Sequence, residues 1–167
     1  QLLWFLINWT EPEFFAGPIS TIFLLAGALI AWLLSIRKSK YAGIEICYGN
    51  ARIWPWVFAS QVLSLVFTEY LFGYLHLFDA GLTWIPTFIV IVSLPPSMVL
   101  MYGPGFTTLL TASLLGAVLC TPTAYWISRA TASWGIPGAT NNVLCMVVAG
   151  VIAGCVCRVL PWMKKRS

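Results

Sequence analysis

Continuous apolar runs, each about 20 residues long, recur along this chain and restrict its fold more than any other feature. A helix of about 20 residues crosses the ~30 Å hydrocarbon core of a bilayer. A soluble core has no use for several such runs in 167 residues, and the mean hydropathy of +0.89 with 8% charged residues points the same way. A transmembrane β-barrel alternates apolar and polar positions, whereas these runs do not. Backbone groups in lipid must find their hydrogen bonds within the segment, which leaves helices. The sequence therefore predicts an all-α, polytopic transmembrane helix bundle of five or six spans, forming a single integral membrane domain over 1–167.

The spans fall at about 14–36, 54–78, 82–102, 106–127 and 143–162, with 1–9 too short to cross alone and read as part of a further span. The connections carry turn and helix-start residues: Thr10-Glu11-Pro12-Glu13, Gly49-Asn50, Asp79-Ala80-Gly81, Gly103-Pro104-Gly105, and a polar loop from Ser128 to Asn142. Of the basic residues, Arg37, Lys38, Lys40 and Arg52 share one connection, and Lys164, Lys165 and Arg166 close the chain. Positively charged loops stay inside. Both clusters are thus expected on the cytoplasmic face of a bacterial inner membrane, with Glu11, Glu13, His76 and Asp79 outside and Arg129 as the basic exception. Because the basic residues flank apolar runs and form no stripe on a soluble face, nucleic acid is not expected as a partner. Of nine tryptophans, Trp9, Trp54, Trp56, Trp84, Trp126, Trp134 and Trp162 fall near span ends, as an interfacial belt requires. Trp134 and Trp84 are also placed to stack on a ligand.

Three constellations carry candidate chemistry. Glu69 is a lone acid within the 54–78 run, where a carboxylate is expensive unless it is paired, protonated or facing water. Gln61, Ser64, Thr68 and Tyr70 add polar groups near it, and Gln61 shares its helical stripe. A proton, cation or substrate-amine contact is the functional reading; a structural hydrogen bond is the alternative. Second, Ser93-Leu94-Pro95-Pro96-Ser97 removes two consecutive N–H donors inside a membrane run. It predicts a Pro-interrupted helix of the kind that builds transporter sites at the midplane. Third, Tyr102-Gly103-Pro104-Gly105-Phe106-Thr107-Thr108 is echoed by Gly135-Ile136-Pro137-Gly138-Ala139-Thr140-Asn141-Asn142. Thr and Asn at these starts are expected to cap the helices. Asn141 and Asn142, with Trp134, are expected to touch a ligand at the outer mouth.

Gly150-x-x-x-Gly154, beside Ala149-x-x-x-Ala153 and with Gly27-x-x-x-Ala31 and Ala112-x-x-x-Gly116 as looser cases, predicts close helix packing, within the chain or against another subunit. Five cysteines in odd number and without a Cys-x-x-Cys are read as small packing residues. His76 and Asp79 lack a third metal ligand, so no metal and no cofactor are expected. No nucleophile elbow, zinc-protease or phosphate-loop pattern occurs, and the chain is not read as an enzyme. In layout, with about six helices in a short chain and Tyr102-Gly103-Pro104-Gly105 leading a Gly/Ala-rich helix, the chain loosely resembles the substrate-binding membrane component of energy-coupling-factor vitamin transporters. Sensory membrane domains share that layout.

The sequence supports a small-solute transport protein, or a membrane subunit of a transporter, acting as a homo-oligomer or with a partner membrane subunit. Its binding residues are expected to be Glu69, Gln61, Ser93, Pro95, Pro96, Ser97, Trp134, Asn141 and Asn142. The alternative is a non-transporting membrane subunit serving as anchor, assembly factor or sensor.

Overall fold

In the computed structural model the described residues are Leu6, 17–41, 51–72 and 93–163, and all regular structure among them is helical. Pro18–Ile36 forms α1, Trp54–Phe72 α2, Leu94–Tyr102 α3, Phe106–Leu115 α4, Thr121–Thr131 α5 and Gly138–Val159 α6. A π-helical turn, Gly116–Cys120, joins α4 to α5, and a 3-10 turn, Ala132–Trp134, ends α5. Three helical stretches are long and apolar enough to cross a membrane: Pro18–Ile36, Phe106–Trp134 and Thr140–Val159. This chain is therefore a helical membrane protein, although a bundle of five or six spans is not established. Of the expected spans, residues 1–9 apart from Leu6, 14–16, 73–78 and 82–92 lie outside the described residues.

Proline placement explains several boundaries. Pro18 stands at the first turn of α1, Pro95 and Pro96 at that of α3, and Pro122 at that of α5. At a first turn the missing N–H has no intrahelical partner to lose. Pro122 is different because α4 and α5 run on continuously. There the ring meets the carbonyl four residues back, at Val118, and the widened π-turn immediately before it relieves that clash. Pro95 and Pro96 were expected to interrupt a helix. They stand in the first turn of α3, with Ser97 N–H donating to the Ser93 carbonyl at 3.1 Å, and residues 82–92 of the span they were expected to interrupt lie outside the described residues.

Side-chain hydrogen bonds give the directions of the helices. Ser60 and Ser64 meet Ser113, and Thr68 meets Thr121, so residue numbers rise together and α2 runs parallel to α4–α5. Thr131 meets Asn141, Cys120 meets Cys145 and Thr111 meets Trp162, so α6 runs antiparallel to them. Tyr102, at the end of α3, lies beside Cys157 near the end of α6. The start of α2 is tied to the end of α1 by Trp32 Nε1 donating to the Ala51 carbonyl at 2.9 Å. One end of the bundle therefore gathers the end of α1, the starts of α2 and α4 and the ends of α3 and α6, together with Arg37, Lys38, Lys40, Arg52 and Arg158. The α5–α6 hairpin stands at the other end.

Leu65, Val99, Ala112, Cys120, Ala124, Cys145, Ala149 and Ala153 form the centre of the core. Only 6% of the α1 window is buried, so α1 is peripheral and touches the core through Leu25. Its outward face carries Ile19, Ile22, Phe23, Leu29 and Ile30, and that of α6 carries Val143, Val147 and Val151. Such apolar faces suit lipid, which solvates them as well as a protein core does. Gly150 and Gly154 also point outward: a Cβ on either meets nothing within 4 Å. The close packing expected of them is supplied within the chain by buried Ala149 and Ala153.

Candidate functional site

Around the junction of α2, α3 and α4–α5 the core is polar. Ser60, Ser64 and Thr68 recur every fourth residue on α2 and are fully buried. That spacing keeps them on one helical face. Ser64 Oγ donates to the Ser113 carbonyl at 2.9 Å, and Ser113 Oγ donates to the Ser60 carbonyl at 3.2 Å. Ser60 Oγ donates within its own helix to the Val57 carbonyl at 2.7 Å. At the far end of the row the Thr68 and Thr121 hydroxyls share a hydrogen bond of 2.9 Å. Every hydroxyl in the row has a partner, so this seam is held together by polar contacts.

At the middle of the row Gly116 leaves no room for a side chain. A Cβ on Gly116 would lie 2.4 Å from Pro95 Cγ and 2.6 Å from Ser64 Oγ. Gly116 stands ten residues after the first residue of α4, which is about 15 Å, half of the ~30 Å hydrocarbon thickness. The nine residues of α3 cover only about 13 Å, and its first turn meets the seam at that depth. Leu94, Pro95 and Pro96 are all buried there. A buried helix start normally leaves free N–H groups. Two consecutive prolines remove that cost, and they also deprive the start of the donors that would hold an anion.

Glu69 follows Thr68, and its side chain is partly buried on the flank of the seam. It lies five residues beyond Ser64, about 7 Å farther along α2. Gln61, two turns earlier, is also partly buried. Ser64 and Thr68, expected beside Glu69 as site groups, are instead committed to α4–α5. Ser93 is half-buried next to the proline pair, and Ser97 is exposed.

The α5–α6 hairpin differs from expectation in three ways. Residues 128–134, read as part of a polar loop, continue the helix, and α6 begins at Gly138 rather than at 143. Thr131 accounts for part of this, since its hydroxyl bonds back to the Ile127 carbonyl at 2.8 Å and so needs no loop conformation. Neither helix start is capped by a side chain: Gly105 precedes α4 and Pro137 precedes α6, without a side-chain hydrogen bond. Asn141 and Asn142 were expected at an open mouth with Trp134, but they are 6% and 3% exposed while Trp134 is 71% exposed. Asn141 works as a clamp, its Oδ1 lying 3.1 Å from Thr131 Oγ1 across the hairpin. Asn142 Oδ1 is buried without a hydrogen-bond partner, as is Ser128 Oγ. Nearby, Arg129 donates to the Tyr125 hydroxyl at 2.7 Å and stacks on its ring at 5.6 Å.

The structure thus brings together Ser64, Pro95 and Gly116, with Glu69 a short way along α2. It does not bring Trp134 to the asparagines' buried side chains. Ser60, Ser113, Thr121, Ser128 and Thr131 were not singled out by sequence, whereas Gly116 was, as the end of the Ala112-x-x-x-Gly116 spacing read as close packing. The four-residue spacing of Ser60, Ser64 and Thr68 was the signal available for the seam. Cys120, Cys145 and Cys157 are buried free thiols and Cys155 is exposed. Glu11, Glu13, His76, Asp79, Trp9 and Trp84 lie outside the described residues. No known protein family, curated protein or solved structure matches this chain.

Proposed function

We propose that this chain is a small-solute membrane transport protein, or the membrane subunit of one, working at the junction of α2, α3 and the π-turn. The observation that carries the reading is the buried start of α3 packed on Gly116, about ten residues into the apolar stretch that begins at Phe106, beside the seam that leads to Glu69. A short helix ending at mid-depth, a π-turn and an acid near one another are costly in a bilayer and common where solutes bind. Glu69 is the group that contacts a polar or cationic solute, Gln61 lies on the same flank, and Ser93 lies at the proline start. Arg37, Lys38, Lys40, Arg52 and Arg158 at one end of the bundle favour that end, and with it the C-terminus, as cytoplasmic in a bacterial inner membrane.

Native mass spectrometry of the protein extracted gently from its own membrane tests this reading. A small molecule bound to the wild type and absent from Glu69→Gln, with equal expression and assembly, is the expected result. Partner chains in fixed ratio with no small ligand would overturn it in favour of a non-transporting subunit. One observation favours that second reading: the outward Gly150 and Gly154 leave a shallow, small-residue stripe where a partner helix can approach closely.

A further inference from the structure

Where the end of α1 meets the start of α2, cations stand at positions that the local backbone does not favour. α1 closes with a turn in which Lys38 N–H donates to the Ser35 carbonyl at 3.1 Å and Ser39 N–H to the Leu34 carbonyl at 3.0 Å. The residue at the bend of such a turn is usually glycine, because its backbone is left-handed. Here it is Lys38, with φ of 49°. Arg52 stands just before α2, which begins at Trp54. A helix start carries partial positive charge and disfavours a cation. Glycine at 38 and an acid at 52 would each suit the backbone better.

The two helix ends meet. Trp32 Nε1 donates to the Ala51 carbonyl at 2.9 Å, and Ala51 adjoins Arg52. Arg37 lies five residues past Trp32, about 7 Å along α1. Arg37, Lys38, Lys40 and Arg52 are all exposed. Lys40 Nζ lies 5.0 Å from the centre of the Tyr41 ring, so its charge stays beside the end of α1. From 37 to 52 the sequence sets four bases against one acid, Glu45, which lies outside the described residues. The one acid among the described residues, Glu69, stands near the other end of α2.

Next to the cations the surface of α1 is apolar. Ile30, Leu33 and Arg37 are spaced three and four residues apart and so share a face. Ile30 and Leu33 are exposed, as are Leu29 and Ile36. α1 has 19 residues, about 28 Å, and needs its whole length to cross a ~30 Å hydrocarbon core. A spanning α1 therefore sets Arg37, Lys38 and Lys40 level with lipid headgroups. An exposed apolar stripe that ends in arginine and lysine matches a molecule with acyl chains attached to a phosphate. Guanidinium forks hold phosphate oxygens in pairs.

We infer that Arg37, Lys38, Lys40 and Arg52 bind the headgroup of an anionic phospholipid where α1 meets α2, with its acyl chains on Ile30 and Leu33. The inference stands apart from the transport reading and from Glu69.

Thermal unfolding of the purified protein in detergent, at fixed ionic strength, tests the site by titration with dioleoyl phosphatidylglycerol, dioleoyl phosphatidylcholine or glycerol 3-phosphate. Phosphatidylglycerol is expected to raise the melting temperature saturably, at concentrations about tenfold or more below those at which phosphatidylcholine acts. Glycerol 3-phosphate is expected to leave it unchanged. Arg37→Gln/Lys38→Gln/Arg52→Gln is expected to abolish the preference, whereas Lys164→Gln/Lys165→Gln/Arg166→Gln, which removes the same charge, keeps it. Lys38→Gly is expected to raise the lipid-free melting temperature, by relieving the left-handed backbone, and to weaken the phosphatidylglycerol effect. Glu69→Gln is expected to keep the preference, whatever it does to solute retention. An equal response to the two lipids, a response to glycerol 3-phosphate (a small-anion site), or equal loss in the two triple variants (net charge alone) would each overturn the inference.

Discussion

Gly116→Ala perturbs a tight contact between the π-turn, α2 and α3. The added methyl would sit 2.4 Å from Pro95 Cγ, 3.2 Å from Pro95 Cδ and 2.6 Å from Ser64 Oγ. Carbon atoms prefer about 3.5–4.0 Å, so the overlap with the proline ring exceeds 1 Å, roughly a third of a contact distance. Neither neighbour yields easily. Pro95 is a rigid ring in a buried first turn, and Ser64 is pinned by its 2.9 Å bond to the Ser113 carbonyl. Overpacking of this kind costs about 1–3 kcal/mol. If Ser64 rotates away, the lost hydrogen bond adds about 1 kcal/mol. Replacing glycine by alanine in a helix returns about 1 kcal/mol, which leaves a net loss of about 1–3 kcal/mol. For a chain of this size that lowers the melting temperature by roughly 2–12 °C, read by intrinsic tryptophan fluorescence in detergent. The double variant Gly116→Ala/Pro95→Ala is expected to lose less than the sum of the single variants, because the clash is shared. An unchanged or raised melting temperature in Gly116→Ala would refute the assigned contact between α3 and the π-turn.

Gly150→Leu and Gly154→Leu test the opposite case: with nothing within 4 Å of either Cβ, neither variant is expected to lower the melting temperature of the isolated chain, and a clear loss would mean that these glycines pack inside it. Thr68→Val orphans the buried Thr121 hydroxyl; it should cost about 1–2 kcal/mol, and Thr68→Val/Thr121→Val should recover part of that loss in the same unfolding assay. Glu69→Gln preserves shape and removes charge, and it is expected to unfold with the wild type while losing solute retention; a large stability loss would assign Glu69 to packing instead.

Much of the local structure was legible from residue type. Apolar runs and the impossibility of unpaired backbone in lipid pointed to helices at about 14–36, 106–127 and 143–162, where the described residues have Pro18–Ile36, helix from Phe106 to Trp134, and Gly138–Val159. The Pro95-Pro96 pair was singled out by sequence, whereas Pro18 and Pro122 were not; all four stand in first helical turns, which do not need the N–H that proline lacks. Ser128 to Trp134 was misread as loop. Serine, arginine and glycine around Ile136 look like turn chemistry, but the Thr131 hydroxyl serves its own helix and Asn141 closes the hairpin on it.

The sequence by itself determined that this chain builds apolar helices for a bilayer. Only the tertiary structure decided which faces those helices bury. A helix that is apolar all round carries no amphipathic stripe to point at its neighbours, so hydropathy could not tell Ser60, Ser64 and Thr68 from Gln61 and Glu69 as the inward side of α2. In lipid the choice falls to close approach and to hydroxyls that find partners. Those partners, Ser113, Gly116 and Thr121, lie about 50 residues away in the chain and share no local pattern with α2. The same physics turned Ala149 and Ala153 inward and left Gly150 and Gly154 facing out.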